Sequence, residues 1–586
     1  MILGFLLKGY EKMQSKKCYI NKGGNLKEML NLVAEKFPGE KAFMIKEKGK
    51  IRKISFFELL SEVRRIGTGL HCDGIMGERI AIIGDNSYPW FCAFLSIVCG
   101  GGVAVPLDKG FTAAELKNCL VRSKAKALFY DEKHEKVVRE AIAEMGMDAE
   151  IPKLYRITGD EEELTVLKKA GEDALVAGSS DFYDVAIKPE DLAVILFTSG
   201  TTAMSKAVML SHKNIMSNIR DMQCYERFYP WDVNMAFLPL HHSFGLVGVL
   251  VFMASGACSV FCDGLKYISK NLAEYGVTVF VGVPLLVENM YKKIWHKINK
   301  EDLTKKVEFG RRITKLPGIG NLAVRRKIFR KIIDGLGGHL RLIICGAAPL
   351  LPETAAGLND FGIVTIQGYG LTETSPVVAA ERPEDLAAGS VGKPMPSVEV
   401  TIENKDENGI GEIVVKGPNV MMGYLDQPEE TANVIKDGRF YTGDLGKFDD
   451  GGHLWITGRK KNVIVMKNGK NVFPEEIESI IDKLPYTSES MLFTREKHNE
   501  LVLWVKIVYK PEYLEDTGMS FEELVQTVRN DLAAINEKLP TYKHLHRFLL
   551  TDEPMIKTTT QKVKRNLEIE KINQQWQEEL CYNNSI

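Results

Sequence analysis

Ala193-Val194-Ile195-Leu196-Phe197-Thr198-Ser199-Gly200-Thr201-Thr202-Ala203-Met204-Ser205-Lys206 starts with five apolar residues and ends with hydroxyls, one glycine and one lysine. A short apolar run of this kind reads as a buried strand. Gly200 allows the chain after it to turn tightly. Successive backbone N–H groups then form a concave anion site, with hydroxyl donors and the Lys206 charge beside it. A Walker loop ends in Gly-Lys-Ser/Thr; here Lys206 follows Ser205 and precedes Ala207. The stretch therefore suggests a nucleotide polyphosphate held in some way other than a P-loop. Alone it also reads as an ordinary Ser/Thr/Gly loop.

The chain has 586 residues, too many for one core, so two to four domains are expected. Charged residues make up 26% and the net charge is −1, which gives no global drive toward nucleic acid. The ten cysteines are scattered without a CxxC pair. That reads as reduced thiols in a cytoplasmic protein, with no disulfide framework or zinc site. The apolar start Met1–Leu7 lacks a basic region before it and a cleavage signal after it, so a secretory peptide is not expected. The stretch 245–262, interrupted by Ser255, Gly256 and Ser259, reads as buried core, not as a membrane span.

Helices and strands alternate through the first half. A capping box at Ser55–Glu58 opens a helix, and strands are expected at 79–83, 103–106 and 127–130, with a buried helix at 90–98. The pattern resumes at 193, 235–238, 277–281 and 340–345. Repeated units of this kind predict an α/β fold with parallel or mixed sheets covered by helices. After about residue 385, short strands between Gly/Pro/Asn turns predict a small β subdomain. Gly458–Asn462 is a charged break, followed by an α+β tail with Pro474 at a helix N1 and a second capping box at Ser520–Glu523.

Five further segments carry candidate chemistry. Gln367-Gly368-Tyr369-Gly370-Leu371-Thr372-Glu373 joins an aromatic that suits a base to a carboxylate that suits Mg²⁺. Asp444 in Thr442-Gly443-Asp444 suits sugar hydroxyls, and Arg459 is a permanent cation. His241-His242 follows Leu238-Pro239-Leu240, and Lys562 lies in a cationic tail segment. Each has a plainer reading: Asp444 as a turn residue, Arg459 and Lys461 as solvated charges, Lys562 as a surface lysine, His242 and Tyr369 as core packing.

Taken in order, FTSGTTAMSKAVMLSH, LPLHHSFG, ICGAAPL, QGYGLTETSP, YTGDLG, GRKKNVIVMKNGKNVFPEEIE and TTTQKVKR resemble the adenylate-forming superfamily, in particular the long-chain fatty acyl-CoA synthetases. The likeness covers roughly residues 25–570. It implies an AMP-binding and acyl-binding domain over 1–460 and a mobile C-terminal lid over 461–586, hinged at Lys461. Position by position, it implies that Thr198, Ser199, Gly200, Thr201, Thr202 and Lys206 grip the β,γ-phosphates of ATP. Tyr369 and Gly370 sit near adenine, Thr372 touches the α-phosphate and Glu373 binds Mg²⁺. Asp444 and Arg459 hold the ribose, Gly346 and Ala347 line the acyl–adenine junction, and His242 borders the carboxylate. Lys562 matches the adenylation lysine. Implied cofactors are ATP, Mg²⁺ and coenzyme A.

Two departures stand out: Ala203 where the family usually has glycine, and Gln561-Lys562 where many members have Gly-Lys. Neither removes a charge. Between Lys300 and Lys331, eleven basic residues face three acidic ones, and Ile328, Phe329, Ile332, Ile333 and Leu336 make an apolar stripe read as one helix. That segment reads either as a solvated face or as a contact for anionic lipid or CoA phosphates, as in the long-chain subgroup. Gly245 and Gly248 after His242 leave room for an acyl channel. The implied reaction is ATP-dependent activation of a medium- to long-chain fatty acid or other small carboxylic acid to acyl-AMP, then transfer to CoA. A ligase that loads an acyl carrier protein, a non-catalytic nucleotide-binding regulator, a homodimer and peripheral contact with the inner face of a membrane stay open at this stage.

Overall fold

The computed structural model describes residues 19–146, 150, 152–159, 162–198, 205–316, 321–466, 470–497, 500–557 and 563–574. They fall into two compact units: residues of 1–198, 204–400 and 415–440 in the first, and of 401–414 and 441–586 in the second.

The first unit holds two large sheets. In the seven-stranded sheet, strands 192–198, 103–107, 79–83, 127–130 and 153–156 run parallel in that order, and 206–211 and 423–424 add antiparallel at one edge. In the nine-stranded sheet the parallel strands are 364–370, 342–345, 279–282, 233–236, 258–261 and 41–47, with antiparallel strands at both edges. The central strands are buried on both faces, as parallel strands under helices must be. The α/β architecture expected from the alternating pattern is therefore present. The expected strands at 79–83 and 127–130 match to the residue, and the others shift by one or two positions. The capping box at Ser55 and Glu58 is formed, and the predicted 90–98 helix is Tyr88–Cys99, with Trp90, Phe91 and Phe94 buried.

The apolar stretch at 245–262 is core: helix Ser243–Ala254 is apolar on nearly every side and leads into buried strand Cys258–Phe261. Among the described residues no helix is long and apolar enough to cross a membrane. The basic segment departs from its reading. The expected single helix breaks at Phe329 into Leu322–Ile328 and Arg330–Gly335, so the stripe splits: Phe329, Ile333 and Leu336 are buried and Ile328 is exposed. Three of its cations are used internally. Arg311 pairs with Asp360 at 2.8 Å, Arg325 donates to the Asn359 carbonyl, and Arg326 donates to the carbonyls of Leu340 and Gly362. Of the described cysteines, Cys92, Cys99, Cys119, Cys258 and Cys345 are buried free thiols, and Cys72 and Cys224 are exposed.

In the second unit, strands 487–497 and 500–509 pair antiparallel and 545–551 adds parallel to the latter. Helices Pro474–Ile481 and Phe521–Asn536 cover this sheet through Ile477, Ile481, Leu524, Val528 and Leu532. Both have the predicted starts, proline at N1 and a Ser520–Glu523 capping box.

His212 gives a stability test of the first unit. It is buried at the start of helix His212–Tyr225, and its Nδ1 accepts from the Leu26 N–H at 3.3 Å. Burial lowers its pKa to about 4, opposed by Asp191. The unfolded chain therefore binds the extra proton from about pH 6.5 downward, and this share of stability, on the order of 3 kcal/mol, is lost between pH 6.5 and 4. The urea midpoint should fall across that window, and fall less in His212→Asn. Parallel curves for the two proteins would refute the assignment.

Candidate active site

The carboxyl ends of the parallel strands are where open α/β sheets place ligands, and the predicted residues of the first unit gather there. Thr198 ends strand 192–198 and faces Lys206 across an antiparallel pair, its Oγ1 donating to the Lys206 carbonyl at 3.3 Å. Ser199, Gly200, Thr201, Thr202 and Ala203 lie outside the described residues, as does Lys562. Of that stretch the structure describes the two flanks, Thr198 and Lys206, which are register partners.

Lys206 is only 27% exposed along its side chain; its ammonium sits 4.6 Å from the centre of the Tyr424 ring and pairs with Glu430 at 2.7 Å. The Tyr424 hydroxyl donates to Glu373 Oε1 at 3.0 Å. One aromatic ring thus joins the lysine and the carboxylate read as phosphate and Mg²⁺ ligands. Desolvation, then the Glu373 charge, raises the Tyr424 pKa, so the phenol stays protonated and able to donate.

Glu373 lies in the turn Thr372–Thr374, whose backbone is fixed by buried groups. Asn419 Nδ2 donates to the Thr374 carbonyl at 3.0 Å, Ser375 Oγ donates to the Asn419 carbonyl at 2.9 Å, and Met421 N–H donates to the Glu373 carbonyl at 2.9 Å. Tyr369 and Gly370 end strand Val364–Gly370. A Cβ at Gly370 would stand 1.9 Å from the Pro376 carbonyl oxygen, so only glycine fits. Gly346 and Ala347 follow strand Leu342–Cys345, and Ala347 is exposed at φ +73°, a left-handed conformation costly for alanine.

His242 holds the N-cap position of helix Ser243–Ala254, without a side-chain capping bond, in a loop tied down by Asn86, whose side chain donates to the Leu238 carbonyl at 2.7 Å and accepts from Leu240 N–H at 3.0 Å. Ser243 Oγ lies 3.4 Å from Thr372 Oγ1, and a Cβ at Gly346 would meet the Phe244 ring at 3.1 Å. The 242–244 segment, Gly346 and Thr372 therefore share one edge. Below it a narrow cavity is lined by Asn234, Phe237, Phe244, Gly248 and Val281, among others. The two glycines of helix 243–254 differ. A Cβ at Gly245 would come 2.2 Å from the Pro239 carbonyl oxygen, whereas one at Gly248 meets nothing within 4 Å.

In the second unit, Asp444 and Arg459 are register partners on adjacent antiparallel strands, joined by an ion pair at 2.9 Å; Asp444 is nearly fully buried. Lys461 is exposed in the short turn Lys460–Asn462, and Lys460 pairs with Glu412 at 2.8 Å.

Sequence reasoning missed Tyr424, Glu430 and Asn86. Pro428-Glu429-Glu430 announces a helix start, which the structure has at Pro428–Val434, but no local pattern says that Glu430 meets a lysine 224 positions away. The pair has a measurable consequence. If Lys206 grips phosphate as the resemblance implies, Glu430 would compete with it, and a half-exposed ion pair is worth about 1 kcal/mol or less. Glu430→Gln should lower the KM for ATP about two- to fivefold with little change in kcat. A raised KM would show that Glu430 helps binding.

Compared with known proteins, residues 30–425 match the family described as AMP-binding enzyme, and residues 461–580 match the AMP-binding enzyme C-terminal domain. The chain belongs to the AMP-binding enzyme family. It is 29% identical over 512 residues to long chain acyl-CoA synthetase 7, peroxisomal, of Arabidopsis thaliana, covering 82% of this chain and 72% of that protein. Long-chain-fatty-acid–CoA ligase 1 of Homo sapiens is 37% identical over 310 residues, 50% of this chain and 44% of that protein. Among solved structures, ATP-bound MatB from Rhodopseudomonas palustris superposes with a TM-score of 0.72 at 27% identity, covering 94% of this chain and 99% of that one.

Proposed function

We infer that this protein is an AMP-forming acid–thiol ligase that activates a medium- to long-chain fatty acid. A carboxylate is a poor acyl donor, and the reaction solves this in two steps. A carboxylate oxygen attacks the α-phosphorus of ATP; the bond to the bridging oxygen breaks, leaving acyl-AMP and pyrophosphate. The CoA thiol then loses its proton to solvent and its sulfur attacks the acyl carbonyl, expelling AMP. The relatives' printed names, acyl-CoA synthetase and fatty-acid–CoA ligase, support the substrate class.

The observation that carries the reading is the meeting of Lys206 and Glu373 at Tyr424, beside a register-locked hairpin. The donor set fits magnesium triphosphate: a carboxylate for a hard cation, a lysine for phosphate oxygens and a phenol that orients the carboxylate. Bound Mg²⁺ would offset the repulsion between the two reacting anions. Lys206 and Lys562 would add to that, and positioning would supply much of the rest. Thr372 is assigned to the α-phosphate, Tyr369 and Gly370 to the base, Gly346 and Ala347 to the acyl–adenine junction. Asp444 and Arg459 are assigned to the ribose. Lys461 is assigned to a hinge between residues 1–460 and 461–586, a boundary that coincides with the start of the C-terminal family match and lies inside the second compact unit.

The test is acid-dependent pyrophosphate release with palmitate, octanoate, acetate and an aryl acid, with and without CoA. Palmitate or octanoate should give the largest signal, with a CoA thioester forming alongside AMP. Pyrophosphate without a thioester would point to a carrier-protein acceptor, and no acid-dependent pyrophosphate to a nucleotide-binding regulator. Chain length has its own probe at Gly248. Gly248→Leu should cut the rate with palmitate at least about tenfold relative to octanoate while leaving the KM for ATP unchanged, because methylenes must fit the same space. An unchanged palmitate-to-octanoate ratio would put the acyl chain elsewhere.

A further inference from the structure

Asp108, His241 and His242 offer one ligand atom each, all within 4.8 Å of one another. Asp108 follows strand Val103–Leu107 of one sheet, and the histidines follow strand Val233–Ala236 of the other. His241 is 6% exposed, and its Nε2 is buried without a hydrogen-bond partner. That atom is aimed at Asp108, 3.4 Å from Oδ1, but at an angle that makes no hydrogen bond. A buried ring nitrogen left so is costly, and structures keep few of them.

The distance has a second meaning. Zinc bonds to imidazole nitrogen and carboxylate oxygen are about 2.0–2.2 Å, so two tetrahedral ligands stand about 3.4 Å apart. The His241–Asp108 pair already has that spacing. The His241 and His242 rings lie 4.4 Å apart between centroids, so a rotation of His242 closes the third edge. Lys109, next in the chain, is drawn off to Asp85 at 2.7 Å, which removes one cation from the neighbourhood.

We propose that Asp108, His241 and His242 form a site for a borderline divalent transition ion such as Zn²⁺, separate from the Glu373 carboxylate. Two imidazoles and one carboxylate suit Zn²⁺ or Co²⁺ and discriminate against Mg²⁺, which takes oxygen ligands. The three protein ligands leave a fourth position open. Occupation pulls His242 away from the acyl edge, so Zn²⁺ inhibits acid activation. This last step rests on the proposed role of His242; the binding does not.

The test uses the full-length protein after chelator treatment. Co²⁺ is titrated alone and followed by its visible absorption, then displaced with Zn²⁺. One Co²⁺ per chain with a tetrahedral-type band is expected. His241→Gln and Asp108→Asn should each weaken Co²⁺ at least about tenfold, while Cys72→Ser and Cys224→Ser, at the exposed thiols, leave it unchanged. Thermal melts show whether each variant is folded, and two ligand variants guard against loss of one. No band in the native protein, or a band that survives both ligand substitutions, would overturn the site. In the activity arm, the Zn²⁺ concentration that halves pyrophosphate release should rise at least about tenfold in His241→Gln; an unchanged value would overturn the inhibition. Because the spectrum needs no turnover, failure of the ligase reading and failure of the metal site are distinguishable.

Discussion

Lys562→Ala should lower acid-dependent pyrophosphate release by about a thousandfold or more while changing thioester formation from supplied acyl-AMP by less than about fivefold. The asymmetry follows from charge. In the first half-reaction a carboxylate approaches a triphosphate, and negative charge builds on the oxygens around phosphorus and on the departing pyrophosphate. A lysine brought beside the phosphates would be worth most at that moment. In the second, a thiolate attacks a carbonyl and AMP leaves with less charge to stabilise. Residues that flank this lysine have contacts of their own. Lys557 and Val563 form a bridge, Lys564 N–H donates to the Ile556 carbonyl at 2.8 Å, and the buried Glu568 carboxylate accepts from Ile556 N–H at 2.9 Å while pairing with Lys506. None of these contacts uses the Lys562 side chain, so the variant should melt near the temperature of the native protein. Equal loss in both half-reactions would remove Lys562 from the adenylation step.

What the sequence made legible follows from how local each feature is. Strands 79–83 and 127–130 were readable because both faces are buried, giving unbroken apolar runs between polar turns. The helix starts at Ser55, Pro474 and Ser520 were readable because a cap is written within four residues. The break at Phe329 was not. Both halves keep helical spacing, and it is the burial of Phe329 against Phe361 and Val307 that accompanies the interruption. The site shows the same division. Thr198, Lys206, Thr372 and Glu373 stand in segments with a recognisable local pattern. Tyr424, which joins two of them, belongs to a two-residue edge strand with no chemistry of its own in sequence. His241 was visible as half of a pair, but Asp108, 133 positions earlier (241 − 108), becomes its neighbour only through the packing of two sheets.

Glu373→Gln should lower pyrophosphate release by about a hundredfold and raise the Mg²⁺ concentration for half-maximal rate by about tenfold or more. The substitution keeps the shape of the side chain and removes one negative charge. The Tyr424 hydroxyl can donate to the amide oxygen as it does to the carboxylate. The turn that carries residue 373 is held through backbone groups by Asn419, Ser375 and Met421, none of which needs the carboxylate. Fold and local geometry should therefore survive, and any loss reports on charge at one oxygen pair. A neutral amide oxygen is a weaker ligand for a hard dication than a carboxylate, so saturating Mg²⁺ should recover part of the rate if Glu373 binds the metal directly. The same substitution leaves Lys206 between Tyr424 and Glu430, so the KM for ATP measured at saturating Mg²⁺ should move far less than the Mg²⁺ requirement. A rate loss with an unchanged Mg²⁺ requirement would assign Glu373 to the turn's architecture and leave the metal to other oxygens.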